Sequence, residues 1–329
     1  MATDDSQGRQ HQVIGITGVT GMLGCALAEM FTERGYQVLG LVRSAPADKP
    51  AYRHITGDLT DAQSLALFVA QIDVCVHLAA QVSHGGRQQY KSVNIDGTQK
   101  LCDAIRSYNP ACRLVNCSSI AALRFNPALP FLATPYARSK FYANRIVERY
   151  RRQFDLRTVT ISPGLIYGPG DERFLPAVIR RLKQGSVTLV SGGERHAPLI
   201  YIDDLAELFF LAATDSRAVG EDYIGVRSET LGIHEFIRQL ARQVGAEEPR
   251  RILPKSVVFP PALMMEWIYR LSGRGKEPPL SKRAVDILSI NFKQTSGDAN
   301  KRLDWQPAIG MEEGLRRYLD WARERGISA

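Results

Sequence analysis

No run of about twenty apolar residues occurs anywhere in the 329-residue chain, which excludes an ordinary membrane-spanning helix. An apolar signal core is missing too. Met1 to Gln12 is polar, so export is not expected and a cytoplasmic location is. Cysteine is scarce: the five copies are odd in number, all precede residue 118, and none has zinc-type pairing. Free thiols in a reducing compartment, and no metal centre, are therefore expected. Low-complexity tracts and internal repeats are absent. Acid is outnumbered by base, 34 Asp and Glu against 42 Lys and Arg, giving a formal charge of +8. Those cations are dispersed and no recognition motif accompanies them, so nucleic acid is not an expected partner and an anionic small molecule is the simpler explanation. The densest cluster, Arg149-Tyr150-Arg151-Arg152, reads as the solvated end of a helix, where cations meet the negative end of its dipole.

What is present is enough apolar residue, 44%, to bury a sizeable core, and a set of ordered motifs in the N-terminal half. Val13-Ile14-Gly15-Ile16-Thr17 is an apolar, β-branched stretch of the kind that forms a buried parallel strand. A glycine loop follows it, Gly18-Val19-Thr20-Gly21-Met22-Leu23-Gly24, and then a helix from Cys25 to Arg34 stopped by Gly35. Strand, glycine loop and helix in that order form a dinucleotide-binding turn. The glycines let the backbone approach a pyrophosphate, whose charge meets amide N–H groups at the helix start. Gly18, Thr20, Gly21, Met22, Leu23 and Gly24 are the candidate contacts; an ordinary tight βα turn is the plainer alternative.

The second strand, Gln37 to Arg43, ends in an arginine where an NAD-specific enzyme commonly carries an acid. Arginine can take a ribose 2′-phosphate in bidentate fashion, so Arg43 favours NADP, with NAD retained as the alternative and a merely solvated arginine as the plain one. Asp58, beside Leu59, is placed either to accept from the adenine amino group or to cap the next helix. Val74 to Ala80 is an apolar strand ending, after Leu78, in the small residues Ala79 and Ala80, where backbone must lie close to a flat ligand. His77, flanked by valine and leucine, reads as a packed core group. A helix from about Tyr90 to Tyr108 carries Asn94, and the strand Arg113 to Ser119 delivers two hydroxyls at its C-terminal edge.

Tyr136-Ala137-Arg138-Ser139-Lys140 puts a phenol and an ammonium four residues apart, on one face if the segment is helical. A free tyrosine has a pKa of about 10, and a neighbouring lysine charge stabilises the phenolate and brings proton exchange toward neutral pH. Taken with the glycine loop, this pair points to acid/base chemistry beside a dinucleotide.

From about Val13 to Trp321 the chain resembles the extended short-chain dehydrogenase/reductase superfamily. The resemblance rests on Gly18/Gly21/Gly24, Gly57-Asp58-Leu59, His77-Leu78-Ala79-Ala80, Val93-Asn94 with Gly97-Thr98, Cys117-Ser118-Ser119, Tyr136-x-x-x-Lys140, and Ser162-Pro163-Gly164 with Tyr167-Gly168-Pro169-Gly170. It implies Ser119 as the hydroxyl orienting a substrate oxygen, Tyr136 as acid/base, Lys140 as ligand of the nicotinamide ribose, and Asn94 as support for a proton relay. It also implies that Pro163, Gly164 and Leu165 lie against the nicotinamide, and that two copies pair through helices near 90–108 and 137–152 as a homodimer. Ser162 departs from the family's frequent arginine. The Ser119–Tyr136 segment, with Pro127, Pro130 and Pro135, is shorter than in many relatives, so a covering loop is reduced.

The expected architecture is α/β: a doubly wound parallel-sheet Rossmann fold with a smaller, mainly C-terminal substrate lobe. Residues 1–12 form a flexible N-terminus; 13–165 bind NAD(P), joined by about 199–226, where Leu199 to Ile202 is a strand and Asp203-Asp204 cap the helix that follows. Residues 166–198 and 227–329 supply the lobe, with helices at about Ile233 to Val244 and Met311 to Glu324 flanking an irregular region from Pro249 to Pro279. Within it, Val257 to Leu271 is apolar and basic-flanked: a pocket wall or lid, or a peripheral membrane contact, although Pro260 and Pro261 interrupt it.

Relatives acting on nucleotide sugars carry an asparagine and an arginine where this chain has Leu165 and Ala197; Arg195 and His196 are near enough for a shifted loop to restore one. The Ser162-to-Asp171 segment, and Pro278-Pro279-Leu280 followed by Asp304-Trp305-Gln306-Pro307, look more like the hydroxysteroid dehydrogenase and dihydroflavonol reductase branch. The resulting expectation is an NADP-dependent oxidoreductase acting on an apolar ketone or secondary alcohol. Two alternatives remain. One is an NAD-dependent sugar-nucleotide epimerase or dehydratase, the latter usually needing an acid where Ile120-Ala121-Ala122 stands. The other is a non-catalytic cofactor-sensing scaffold, which would not need Ser119, Tyr136 and Lys140 together.

Overall fold

The computed structural model describes residues 12–46, 50–82, 86–129, 133–227, 231–271 and 281–327. The expected N-terminal tail before Gln12, Pro130 and the Pro278-Pro279-Leu280 motif lie outside the described residues. The chain divides into two compact units. Met1–Gly164, Asp203–Gly225 and Gly297–Gln306 make the first; Leu165–Ile202, Val226–Ser296 and Pro307–Ala329 make the second.

In the first unit, seven strands pair in parallel: β1 (Val13–Thr17), β2 (Gln37–Val42), β3 (Arg53–Thr56), β4 (Val74–His77), β5 (Arg113–Cys117), β6 (Thr158–Pro163) and β7 (Asp222–Gly225). Their order across the sheet is β7-β6-β5-β4-β1-β2-β3. The chain therefore runs outward from β1 in one direction, then returns and runs outward from β4 in the other. This is a doubly wound Rossmann sheet, and its strand order reverses at the β1/β4 boundary, where a crevice opens at the strands' C-terminal ends. The inner strands are buried along nearly their whole length, which is why they read as continuous apolar runs.

Helix α1 (Met22–Glu33) begins three residues before the position expected, and it buries Leu23, Leu27 and Phe31, spaced one helical turn apart. Gly35, at φ +84°, ends it in the left-handed conformation. Helices α2 (Ala62–Val69) and α3 (Gly97–Tyr108) pack with β4 and β5 in a core that includes Leu65, Phe68, Leu101 and Ile105. All five cysteines are free, and Cys75, Cys102 and Cys112 sit inside this core as small apolar groups. The run expected from Tyr90 to Tyr108 is helical, but not uniformly α: Lys91–Asp96 is a π-helical segment between the turn Arg87–Tyr90 and α3. Helix α4 (Pro135–Phe154) starts with Thr134 accepting from Ala137 N and Pro135 in the first turn. Its basic end is not simply solvated. Tyr150 is buried and bonded to Asp103 and Gln99 of α3, and Arg149 also reaches Gln99, because the face toward α3 continues through that turn. Helix α5 (Ile202–Thr214) carries Asp203 and Asp204 inside its first turn.

The second unit holds two pairs of short parallel strands, Leu165–Tyr167 with Leu199–Tyr201 and Leu189–Val190 with Ile252–Leu253. The strand at 199 thus belongs here and not to the main sheet; its partner Leu165–Tyr167 draws it away, and only α5 and β7 return to the first unit. Conversely Gly297–Gln306, expected in the lobe, joins the first unit, where Trp305 is buried and donates to the Asp204 carbonyl at 3.0 Å. Tyr167, Tyr201 and Phe236 meet edge to face. Helices Ile233–Gln243 and Met311–Glu324 lie where expected. The stretch read as irregular is largely one helix, Lys255–Leu271, with Pro260 and Pro261 inside it. An interior proline costs a helix about 3 kcal/mol. Here tertiary burial outweighs that: Val258 and Ala262 pack with Val190 and Val285. Among the described residues no helix is long and apolar enough to cross a membrane.

Candidate active site

The glycine loop lies at the switch point. Gly18 has φ +74°, and a Cβ there would come 2.8 Å from Ala79 N and 2.9 Å from Ala79 Cα. At Gly24 an added Cβ would stand 2.2 Å from the Gly18 carbonyl oxygen. So the turns leaving β1 and β4 approach each other with no room for a side chain at residue 18, and α1 starts directly against the loop. No side chain caps α1. Its first amides are the free positive end of a dipole, beside a backbone cradle, and this fits the pyrophosphate of a dinucleotide.

Around the cradle, Arg43 is exposed just beyond β2. Asp58 Oδ1 accepts from both the amide and the hydroxyl of Thr60, at 2.8 and 2.7 Å. Asp58 does not cap the next helix: Asp61 does, accepting from Gln63 N and Ser64 N. Leu59 is buried against Gly97. Leu78, Ala79 and Ala80 are part-buried beyond β4, Pro163 closes β6, and Gly164 N donates to the Gly225 carbonyl at 3.0 Å. Thr20, Gly21, Met22 and Leu23 complete the turn, with Gly21 N bonded to the Gly18 carbonyl at 3.0 Å. Leu165 begins the second unit.

β5 ends at Cys117, two residues earlier than expected, because Ser119 turns the chain into the short helix Ile120–Leu123 and caps it, accepting from Ala121 N at 3.2 Å. Tyr136 and Lys140 lie four residues apart near the start of α4, on one face. Lys140 is only 5% exposed, and its Nζ donates to the Cys117 carbonyl at 2.7 Å. This ties the lysine to the strand end that delivers Ser119, and takes one of its three donors. Burial lowers the Lys140 pKa from its ordinary value, since the charged form is poorly solvated.

Asn94 is fully engaged on its donor side. Its Nδ2 donates to the Gln81 carbonyl (3.0 Å) and to Ser139 Oγ (2.8 Å), while Oδ1 accepts from Gln81 N (2.7 Å). Ser139 Oγ in turn donates to the Tyr136 carbonyl at 2.8 Å. Asn94 thus fastens the loop after β4 to the first turn of α4. Behind it lies a second set of bonds that sequence reasoning missed. His77 Nδ1 is 2.8 Å from Thr17 Oγ1, and Nε2 is 3.0 Å from Thr98 Oγ1. Thr98 donates to the Asn94 carbonyl, which can only accept, so its oxygen must receive a hydrogen from His77 Nε2. Nδ1 is then the acceptor and Thr17 donates to it, while Thr17 Oγ1 accepts from Ala79 N at 3.3 Å. Burial, and after it the nearby Lys140 charge, push the His77 pKa down to about 3, so the ring is neutral. The signal available in the sequence for Ser139 was its place one turn after Tyr136, where a serine hydroxyl reaches back to a helix carbonyl. Among the described residues no group of His, Cys, Asp and Glu could hold a metal ion.

A dinucleotide cradle with a tyrosine–lysine pair nearby is the equipment of an oxidoreductase that uses a nicotinamide cofactor, and that is the class this fold and site define. Residues 14–224 match the model of the NAD dependent epimerase/dehydratase family. The chain is 30% identical over 321 residues to the 2-alkyl-3-oxoalkanoate reductase of Stenotrophomonas maltophilia, covering 92% of this chain and 97% of that protein. It is 26% identical over 331 residues to the 3-beta-hydroxysteroid dehydrogenase of Mycolicibacterium neoaurum, covering 93% and 90%. Among solved structures, the UDP-glucuronic acid 4-epimerase of Bacillus cereus in complex with NAD shares the fold, with TM-score 0.71, 20% identity, and 95% and 99% of the two chains covered. The chain belongs to the NAD dependent epimerase/dehydratase family and is an NAD(P)-dependent oxidoreductase of the extended short-chain dehydrogenase/reductase type.

Proposed function

We propose that this protein is an NADP-dependent oxidoreductase of an apolar ketone or secondary alcohol, with Tyr136 as acid/base. The observation that carries the reading is the Tyr136–Lys140 pair at the head of α4, fastened by Lys140 to the strand end bearing Ser119. Bound nicotinamide, held by the Gly18–Gly24 cradle with Asp58, Leu78 to Ala80 and Pro163 to Leu165 around it, would exchange hydride with the substrate carbon. Ser119 holds the substrate oxygen by a hydrogen bond, and Tyr136 gives that oxygen its proton in reduction or takes it in oxidation. Lys140 steadies the phenolate by its charge and holds the nicotinamide ribose. Asn94 supports the proton relay by keeping the helix start in register with the loop after β4.

Two features support an apolar substrate. Leu165 and Ala197 stand where sugar-nucleotide enzymes resembling this chain carry diphosphate-binding side chains, and Ala197 is buried. The two relatives above are also named for an alkyl-bearing oxo acid and a hydroxysteroid. The epimerase reading keeps one argument, the fold shared with an NAD-bound UDP-sugar epimerase. A homodimer through the helices near residues 90–108 and 137–152, and a cytoplasmic location, complete the proposal.

The test is single-turnover reduction by NADPH of 3-oxoacyl, steroid, flavonoid and sugar-nucleotide carbonyls, followed by Tyr136→Phe on any active substrate. The variant should bind cofactor normally and lose ~100- to 10,000-fold in rate, the usual contribution of a general acid. A Tyr136→Phe enzyme turning over at the wild-type rate would end the mechanism. Turnover of UDP-sugars without net cofactor use would instead establish the epimerase.

A further inference from the structure

The helix Lys255–Leu271 is apolar on two sides. One side is core, where Val258 and Ala262 are buried. On the other, Val257, Met264, Trp267 and Ile268 are 57%, 61%, 64% and 49% exposed. Residues 257, 261, 264 and 268 follow the helical spacing of four, three and four, so with exposed Pro261 they form one continuous stripe. Single exposed apolar residues need no explanation, but a contiguous face that includes a tryptophan does.

Charge identifies what the face fits. Residues 249–286 contain eight Lys and Arg against three Asp and Glu, a local excess of five in a chain whose whole net charge is +8. Arg250 and Arg251 are exposed just ahead of the helix. Lys255 and Lys282 are balanced by Asp286 and by Glu266, whose carboxylate accepts from Lys282 N at 2.8 Å, so the positive charge offered to a surface comes from Arg250 and Arg251. An apolar stripe carrying Trp and flanked by cations is what an anionic bilayer surface selects: the stripe enters the boundary between headgroups and acyl chains, and the cations meet lipid phosphates and carboxylates.

We propose that this face docks on an anionic lipid surface, with the helix lying in the plane of the interface, Val257, Met264 and Ile268 inserted and Trp267 at headgroup level. The contact is peripheral and independent of which substrate the enzyme reduces.

The full-length protein would be floated with vesicles of phosphatidylcholine containing phosphatidylserine, and with vesicles of phosphatidylcholine alone. Binding is expected to the former at low salt, weaker in high salt, with a blue shift in emission that Trp267→Phe abolishes; Trp305, by contrast, is already buried. Met264→Glu with Trp267→Glu should reduce partitioning at least roughly tenfold while melting and cofactor binding stay at wild-type values, since both positions face solvent. If that variant misfolds, the salt dependence and the Trp267 emission of the wild type still decide. Failure of the wild type to bind anionic vesicles, or equal binding by the variant, overturns the proposal. So does sedimentation velocity showing that the double variant converts a dimer to a monomer, because a second copy would then be the occupant.

Discussion

Replacing Gly24 with alanine adds one methyl group at the tightest point of the cofactor cradle. Its Cβ would meet the Gly18 carbonyl oxygen at 2.2 Å, Val19 Cα at 2.7 Å and Val19 C at 2.8 Å, all main-chain atoms. Flexible side chains could swing aside, but these cannot. Restoring an ordinary contact of 3.4 Å demands about 1.2 Å of movement between the loop and the start of α1. Overpacking of this kind costs ~1–3 kcal/mol. If the cost falls on the cofactor-bound loop, it corresponds to roughly 5- to 150-fold in affinity. Titration of NADPH and NADH into wild type and Gly24→Ala measures it. Gly35→Ala is the control: φ there is +84°, but nothing lies within 4 Å of the added atom. That variant should lose ~1–2 kcal/mol of stability from backbone conformation while binding cofactor as before. A Gly24→Ala protein with wild-type affinity and melting temperature would show that the loop has room to spare, and the cradle argument would fail.

Arg43→Ala should weaken NADPH binding ten- to a hundredfold and leave NADH nearly untouched, the loss expected from one charge-assisted contact of ~1.5–3 kcal/mol; equal effects on both cofactors would remove the case for NADP. His77 gives a pH signature. Its folded pKa of about 3 lies below the ordinary 6.5, so between those values the unfolded chain takes up a proton that the folded ring refuses. Its contribution to stability is therefore complete above pH 6.5 and falls by ~1.4 kcal/mol for each unit of acidification below it. Urea unfolding across pH 4–7 should show a flatter acid limb for His77→Gln than for wild type.

Sequence alone disclosed those parts that depend on neighbours in the chain. The strands through Ile14, Val76 and Val115 read correctly because burial on both faces demands unbroken apolar runs. The glycine turn and the Tyr136–Lys140 spacing are likewise local: Gly18 follows β1 directly, and Lys140, in α4, reaches the end of β5 within the same unit. What stayed hidden depends on distant pairs. His77 was read as packed, and it is, but its partners Thr17 and Thr98 are 60 and 21 residues away, with no periodicity to announce them. The π-helical segment around Asn94 has no recognisable composition. Proline at 260 and 261 argued against a helix on local grounds, and only the burial of Val258 and Ala262 reverses that argument. Leu199–Tyr201 looked like any buried strand, and nothing in it names the strand it pairs with.

The bonds from Ala79 through Thr17, His77 and Thr98 to Asn94 have a fixed direction, because each hydroxyl's single hydrogen is assigned by a partner that can only accept. A line of donors all pointing one way behaves as a tie-rod and not as a proton conduit. Carrying a proton along it would require two buried hydroxyls to rotate and a ring with a pKa of about 3 to become charged. It can, however, transmit position. One end is the backbone amide of Ala79, against which Gly18 is packed, and the other continues through Asn94 and Ser139 to the carbonyl of Tyr136. The distance between the place where a dinucleotide would settle and the residue that would handle the proton is thereby set by rigid, neutral groups, and does not vary as pH moves across the range in which surface histidines titrate.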